Sequence, residues 1–349
     1  MYKPNFTITP AILNDISYVT EIKTIVERSK VLPLNEAHLK RQAIVRMAHT
    51  STSIEGNPLA QYQVEQVLSG KTIRADDKSI FEVKNYQDVL FKVEELSKSD
   101  AKISLNLILD LHKILMKGLL PEDKVGHFRS GPIYIVDDLG NGQEKVRYSG
   151  PDPKKVPFLL NELILWYYSK EAEAFHPVLK AAVFHLQFVL IHPFSDGNGR
   201  MTRLLATLIL YSHGWDFRKV LVLDDFYNRN RQNYYDALSS AHDGKYADNT
   251  NITDWIEYFT GGFLYEAEQV KDQIQFIGMG EDQEQVFLDK DEMKIIDFLA
   301  INGKVTSTEA EDLLGIPKRT AQFKLKALVD KKLIALEGKG PSAYYIVAK

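Results

Sequence analysis

Two apolar runs, Val178–Ile191 and Leu204–Tyr211, with a polar stretch between them, constrain the fold of this chain more than any other feature. Each is long enough for a buried helix and too short to span a membrane. A polar loop is therefore held between two core helices. It reads His192-Pro193-Phe194-Ser195-Asp196-Gly197-Asn198-Gly199-Arg200 and continues Met201-Thr202-Arg203. Gly197 and Gly199 let the backbone approach a ligand closely. Their N–H groups, with that of Asn198, fall at the start of the second helix, where unpaired donors and the helix dipole favour an anion. Arg200 and Arg203 are three apart, share a helix face and offer two permanently charged forks to phosphate oxygens. Asp196 carries the hard oxygen that Mg²⁺ prefers, and His192 is a base that titrates near neutrality. The plain alternative is a helix–loop–helix turn with an N-cap and two solvated arginines, and Gly-Asn-Gly alone does not decide between them. The whole run does, because each polar side chain in it suits one chemistry, the handling of a polyphosphate.

Composition sets bounds on the rest. With 349 residues the chain has room for one large domain and a smaller one. A net charge of −4 provides no global field for nucleic acid or anionic lipid, so any such binding is local. The absence of cysteine excludes disulfides, thiolate catalysis and zinc–thiolate sites. Met1-Tyr2-Lys3-Pro4-Asn5 lacks the apolar stretch of a signal peptide and no run reaches membrane length, so the default expectation is a cytoplasmic protein with no membrane contact.

Upstream, Ile12, Ile16, Val19, Ile22 and Ile25 mark a helical arm, and a second helix from about Glu36 is terminated by Gly56 and Pro58. Glu55 sits at that C-terminus, where the helix dipole disfavours a carboxylate; a solvated glutamate and one paired with a nearby cation are both open readings. Leu59–Leu68, Phe81–Leu96 and Leu105–Leu115 read as helices, with His112 a structural histidine. Gly126-His127-Phe128-Arg129-Ser130-Gly131 leads into two β-rich runs, Pro132–Val136 and Lys145–Tyr148, around Gly140-Asn141-Gly142, the pattern of a hairpin. Two strands are marginal by themselves, so the hairpin is either a packed excursion or an edge that receives an extended peptide. A metal site built from His185, His192 and Asp196 has no recognisable ligand spacing and leaves the glycines and arginines unexplained.

The string from His192 to Arg203 resembles the signature of the Fic family, His-Pro-Phe-x-Asp/Glu-Gly-Asn-Gly-Arg-x-x-Arg, at every defined position. Ser51-x-x-x-Glu55-Gly56 resembles the inhibitory motif of the Fic class with an N-terminal inhibitory helix, Ser/Thr-x-x-x-Glu-Gly/Asn. The resemblance implies a mainly α fold, a Fic-type helical bundle with a β-hairpin flap, and a protein adenylyltransferase using ATP and Mg²⁺. His192 would be the base acting on a Ser, Thr or Tyr hydroxyl of a protein, the chain itself included; Asp196 would hold the metal, and a homodimer is a further expectation. Gly197, Asn198, Gly199, Arg200, Met201, Thr202 and Arg203 would bind the nucleotide, with Ile135 of the flap beside it. Asn230 and Tyr234, and more weakly His242, would contact base and ribose. Glu55 would pair with Arg203 and leave ATP in an unproductive pose, and some relatives with this glutamate also remove AMP. Gly-Asn-Gly rather than Ala-Asn-Lys argues against Doc-type phosphorylation.

The resemblance implies a helical region, 1–100, that carries Ser51 to Gly56, and a Fic core, 101–275; a short glycine and acid stretch then marks a linker, 276–285, ahead of a small domain, 286–349. The small domain has the order helix, helix, helix, hairpin and resembles a winged helix-turn-helix. Lys318, Arg319, Gln322 and Lys339 are its candidate DNA contacts, although neighbouring acids keep it only weakly basic and such domains also bind proteins. A DNA-binding regulator with a nucleotide-sensing Fic core, and transfer of another nucleotide or phosphate group, are the alternatives to adenylyl transfer.

Overall fold

Pro177 in the first helical turn and Gly197 just ahead of another show how local chemistry sets the helix boundaries here. The structure is a computed structural model describing residues 2–29, 31, 33–138, 144–278, 288–302, 304–338 and 343–348. Its elements run α1 (Pro10–Arg28), α2 (Pro33–Ile54), α3 (Gln61–Leu68), α4 (Asp77–Ser97), α5 (Leu105–Leu115), β1 (Tyr134–Asp138), β2 (Glu144–Ser149), α6 (Val156–Tyr167), α7 (Lys170–Glu173), α8 (Pro177–Ile191), α9 (Asn198–Ser212), α10 (Leu223–Arg229), α11 (Arg231–Ser239) and α12 (Thr253–Gly278). They continue with α13 (Lys290–Asn302), α14 (Ser307–Leu314), α15 (Lys318–Asp330), β3 (Ile334–Glu337) and β4 (Tyr344–Val347). The fold is mainly helical, as expected. Two compact units are formed, one of Met1–Arg28 and Glu36–Lys271, the other of Ser29–Asn35 and Asp272–Lys349.

In the first unit α8 is buried on every face, from Val178 to Ile191 with Val189 alone partly exposed. A helix with no polar side is a core helix. Pro177 starts it where a missing N–H costs least. α9 packs against α8 and α4, burying Leu204, Leu205, Leu208 and Ile209. Asp76 caps α4, accepting from the Ser79 N–H at 2.8 Å.

The hairpin is antiparallel, with Tyr134 opposite Ser149 and Ile135 opposite Tyr148, and its register shifts between Ile135 and Val136. Its root is anchored: Tyr148 is buried, and Ser149 exchanges backbone bonds with Gly244 (2.9 Å) and Tyr246 (3.1 Å). Beyond the root, Tyr134, Val136 and Val146 are exposed. The Gly140-Asn141-Gly142 turn lies outside the described residues.

The second unit packs Ile295, Leu299, Val305, Ala310, Ala321, Leu325, Leu328 and Ile334 into a core of its own. A capping box joins Thr306 and Glu309 at the start of α14, and Gly315 ends that helix at φ +63°. β3 and β4 pair antiparallel, and Val305 bridges to Tyr345. Lys318, Arg319 and Gln322 are exposed on α15. Lys339 and residues 279–287, which take in most of the expected linker, 276–285, lie outside the described residues; the first linker residues, 276–278, belong to α12. Among the described residues no helix is long and apolar enough to cross a membrane.

Candidate functional site

The loop between α8 and α9 is fixed by side chains from several elements. Asn198 folds back on Phe194, its Oδ1 accepting from the Phe194 N–H at 2.8 Å and its Nδ2 donating to the Phe194 carbonyl at 2.9 Å. Phe194 is fully buried and stacks on His112, ring centroids 3.7 Å apart. His112 Nε2 lies 3.1 Å from the Asp196 carbonyl, and Nδ1 accepts from the Gly126 N–H at 2.9 Å. A carbonyl only accepts and an N–H only donates, so these bonds select the neutral Nε2–H tautomer. Burial pushes the His112 pKa down to about 4, which keeps that form. The expected structural histidine thus braces this very loop.

His192 closes α8 at φ 49°, ψ 63°. Its Nδ1 lies 3.0 Å from the Val189 carbonyl. Nδ1 therefore donates, leaving the Nε2 lone pair of the neutral ring to take a proton. Burial lowers the His192 pKa; the Val189 carbonyl and the Glu55 carboxylate oppose this without restoring the ordinary value. Asp196 is 46% exposed at its side chain, and its Oδ1 accepts from the Gly197 N–H at 2.5 Å and lies 3.3 Å from Arg200 Nη2.

Gly197 N-caps α9 at φ +81°, and a Cβ there would stand 2.7 Å from the Met116 sulfur. At Gly199 a Cβ would meet Glu55 Oε1 at 2.2 Å: the glutamate lies directly against the turn that opens α9. Arg200 is 2% exposed, 3.5 Å from Glu82 Oε1, yet its Nε and Nη1 have no hydrogen-bond acceptor. Buried charged donors without acceptors are costly and rare, and an arriving anion would satisfy them.

Arg203 is enclosed. Nε donates to Ser51 Oγ at 2.8 Å, and Nη2 donates to the Ser51 carbonyl at 2.9 Å and to Glu55 Oε1 at 2.8 Å. Asp224 Oδ2 lies 3.6 Å from Nε and accepts from Tyr86 Oη at 3.3 Å. Burial works against the guanidinium charge, but Glu55 leads the groups that hold its pKa above the ordinary value. Burial likewise works against the Glu55 charge; Arg203, then Arg200, override it and keep that pKa low. The end of α2 is tied down by Arg231 Nη2 donating to Ser53 Oγ at 2.8 Å and by Tyr235 Oη to the Ile54 carbonyl at 3.3 Å.

His192, Asp196, Gly197, Asn198, Gly199, Arg200, Arg203, Ser51 and Glu55 are thus brought together. Met201 and Thr202 are fully buried in the first turn of α9, where the Met201 N–H bonds the Gly197 carbonyl and Thr202 Oγ1 the Asn198 carbonyl. Ile135 is 37% exposed on β1. Asn230 caps α11, accepting from the Asn233 N–H at 3.1 Å. Tyr234 is buried, its hydroxyl 3.0 Å from His185 Nε2. His242 packs on Tyr148 at the hairpin root. No cluster of three or more His, Asp or Glu suited to a metal occurs among the described residues, and His185 serves Tyr234. Asp224 and Tyr86 had no assigned part in the sequence; Asp224 of α10 reaches Arg203 of α9 and Tyr86 of α4 reaches Asp224, with no local signal.

Residues 102–210 match the model of the Fic/DOC family. These residues are a Fic/DOC family domain. A crystal structure of a Fic family protein from Desulfovibrio desulfuricans G20 superposes with a TM-score of 0.63 at 26% identity, covering 99% of this chain and 98% of that one. A Fic-domain signaling protein from Bacteroides thetaiotaomicron shares the fold, with a TM-score of 0.62 and 21% identity over 78% of this chain and 100% of that one. Among curated relatives, the protein adenylyltransferase Fic of Aedes aegypti is 30% identical over 213 residues, 59% of this chain. The chain spans only 38% of that mosquito protein's length. The Fic domain defined by the family model includes α5, the hairpin, α8 and the loop to Arg203; Ser51 and Glu55 lie outside it.

Proposed function

We propose that this chain is a protein adenylyltransferase that moves AMP from ATP to a Ser, Thr or Tyr hydroxyl and is held in check by Glu55. The observation that carries the reading is the pair of buried arginines at the start of α9: Arg200 has donors awaiting acceptors, and Arg203 is bound by groups of α2. The relatives named protein adenylyltransferase support the same chemistry. ATP lays its phosphates along the N–H groups of Gly197 to Gly199, with Arg200 and Arg203 on phosphate oxygens. Asp196, its carboxylate 46% exposed, would hold a Mg²⁺, which would offset phosphate charge. His192 Nε2 takes the proton of a hydroxyl held along the hairpin edge. The hydroxyl oxygen bonds to the α-phosphorus, the bond to the β-phosphate oxygen breaks, and pyrophosphate leaves. Positioning and charge stabilisation supply most of the rate. Asn198 acts by shaping the loop, since both of its amide atoms serve Phe194.

With Glu55 on Arg203 and against Gly199, a phosphate meets a carboxylate where it needs donors. Glu55→Gly should therefore raise self-labelling by α-labelled ATP about tenfold or more, the effect of shifting a state by about 1.4 kcal/mol. Intact-mass analysis after ATP and Mg²⁺ should find AMP adducts; no adduct on the Glu55→Gly protein would overturn the proposal, and equal labelling of both proteins would overturn the restraint by Glu55. Release of AMP from a modified target by the parent but not by Glu55→Gly would add a second reaction, hydrolysis of the phosphodiester by water to free AMP and the restored hydroxyl. A nucleotide competition panel tests the choice of ATP. A second reading, DNA recognition by the C-terminal unit, is favoured by the exposure of Lys318, Arg319 and Gln322 on one helix while Lys324 and Lys331 pair with Asp289 and Glu292. Salt-dependent binding to DNA, with no labelling even after Glu55→Gly, would favour it.

A further inference from the structure

Both roots of the hairpin and the backbone of His192 converge on a single guanidinium. Arg129 is 7% exposed and precedes β1. Its Nη1 donates to the Gly131 carbonyl at 2.8 Å, Nη2 to the Pro151 carbonyl at 2.6 Å and, at 3.5 Å, to that of Ile191, and Nε to the His192 carbonyl at 2.7 Å. Its own N–H donates to the Pro193 carbonyl at 2.9 Å. Gly131 stands before the first strand and Pro151 after the second, so one side chain fastens both ends of the hairpin.

The same bonds answer a need of α8. The last carbonyls of a helix have no partner within it. Tyr148 Oη takes that of Leu190 at 2.5 Å, and Arg129 takes those of Ile191 and His192. His192 is a non-glycine residue in the left-handed region, a conformation that is unfavourable for it and persists only where its surroundings hold it. Gly150 makes room for the fork: a Cβ there would stand 2.5 Å from Ile133 Cγ2 and 3.2 Å from Arg129 Nη2.

We infer that Arg129 is a positioning residue of the transfer, fixing His192 relative to the hairpin so that the base and the strand edge holding the target hydroxyl keep one geometry. This rests on the adenylyl-transfer reading. None of the hydrogen bonds of Arg129 goes to residues 196–203, so nucleotide binding does not depend on it. Lysine keeps the charge but gathers its donors on one atom and cannot span carbonyls on both sides of a planar fork.

The test takes Arg129→Lys and Arg129→Met in the Glu55→Gly chain, measuring self-labelling rate against ATP concentration and backbone hydrogen exchange on the same proteins. The maximal rate should fall about 100-fold or more, as for a reacting group displaced by about 1 Å. KM for ATP should stay within about threefold of the parent, with Lys no better than Met. Exchange should rise together at Gly131–Tyr134, at Tyr148–Pro151 and at Leu190–Phe194, and stay unchanged in the second half of α9. An unchanged rate, rescue by lysine, or KM rising in step with the loss of rate would overturn the inference. Should the Glu55→Gly parent itself fail to label, the transfer reading falls, and unchanged exchange at either the hairpin roots or Leu190–Phe194 would then overturn the tie by itself. If the Met protein does not fold, the Lys protein carries both measurements.

Discussion

His192 is usable as a base because two independent features agree: the Val189 carbonyl directs its proton to Nδ1, and burial keeps the ring neutral. Its replacement by alanine in the Glu55→Gly chain should lower self-labelling by about 10²- to 10⁴-fold, the usual weight of a general base. The pH dependence follows by sign. A protonated ring cannot accept the hydroxyl proton, and the His192 pKa is lowered, so the acid limb of the labelling rate should have its midpoint below the ordinary histidine value of about 6.5. Glu55 is among the groups raising that pKa, so the limb of Glu55→Gly should lie at lower pH than that of the parent; rates measured from about pH 5 to 8 would reveal the reverse order, if it holds. His192, Arg200 and Arg203 were legible as candidates because they share one short string. His112, Arg129 and Asp224 were not, because each acts on atoms brought near only by folding.

At the level of elements, α2 is both the carrier of Glu55 and a helix fastened through charge. Arg46 Nε donates to Asp225 Oδ2 of α10 at 2.7 Å, and its Nη2 stands 3.7 Å from Glu266 Oε2 of α12. Glu266 is 1% exposed and its Oε1 has no hydrogen-bond partner, with Arg229 Nε 3.9 Å away. Burial, reinforced by Asp225 and opposed by Arg46 and Arg229, pushes its pKa up to about 8. A carboxyl whose pKa is raised by folding contributes stability that is present below its unfolded pKa, about 4.3, and is lost as pH rises through the folded one. Glu266→Gln should remove that dependence, making the protein more stable than the parent near pH 8 and flattening the slope of unfolding free energy between about pH 5 and 8; urea midpoints across that range measure it. A parent whose stability is level over the range would contradict the account. The helices themselves were largely legible: Leu105–Leu115 is helical over the span its apolar spacing implies, and α8 begins at Pro177 as its proline requires. The charged fastening was not, since Arg46, Asp225 and Glu266 are far apart in the chain.

For the whole molecule, the two units have separate cores, and all groups assigned to the transfer belong to the first. A chain ending at Gly278 should therefore fold and, with Glu55→Gly, label itself within about twofold of the full-length rate. Loss of labelling with helical content retained would tie the second unit to catalysis. What the sequence by itself determined is the local part: a helical fold from apolar spacing, helix ends from Pro and Gly, and a glycine- and arginine-bearing turn from Gly197 to Arg203 at the start of a helix, because these depend on neighbours in the chain. Only the tertiary structure decided which partner each charge takes. It placed Glu55 on Arg203, the pairing the motif resemblance implied, but Asp224 behind Arg203 and Arg129 beneath His192 were set by folding alone, because hydrogen bonds and ion pairs are chosen by distance in space among buried groups, which no spacing along the chain encodes.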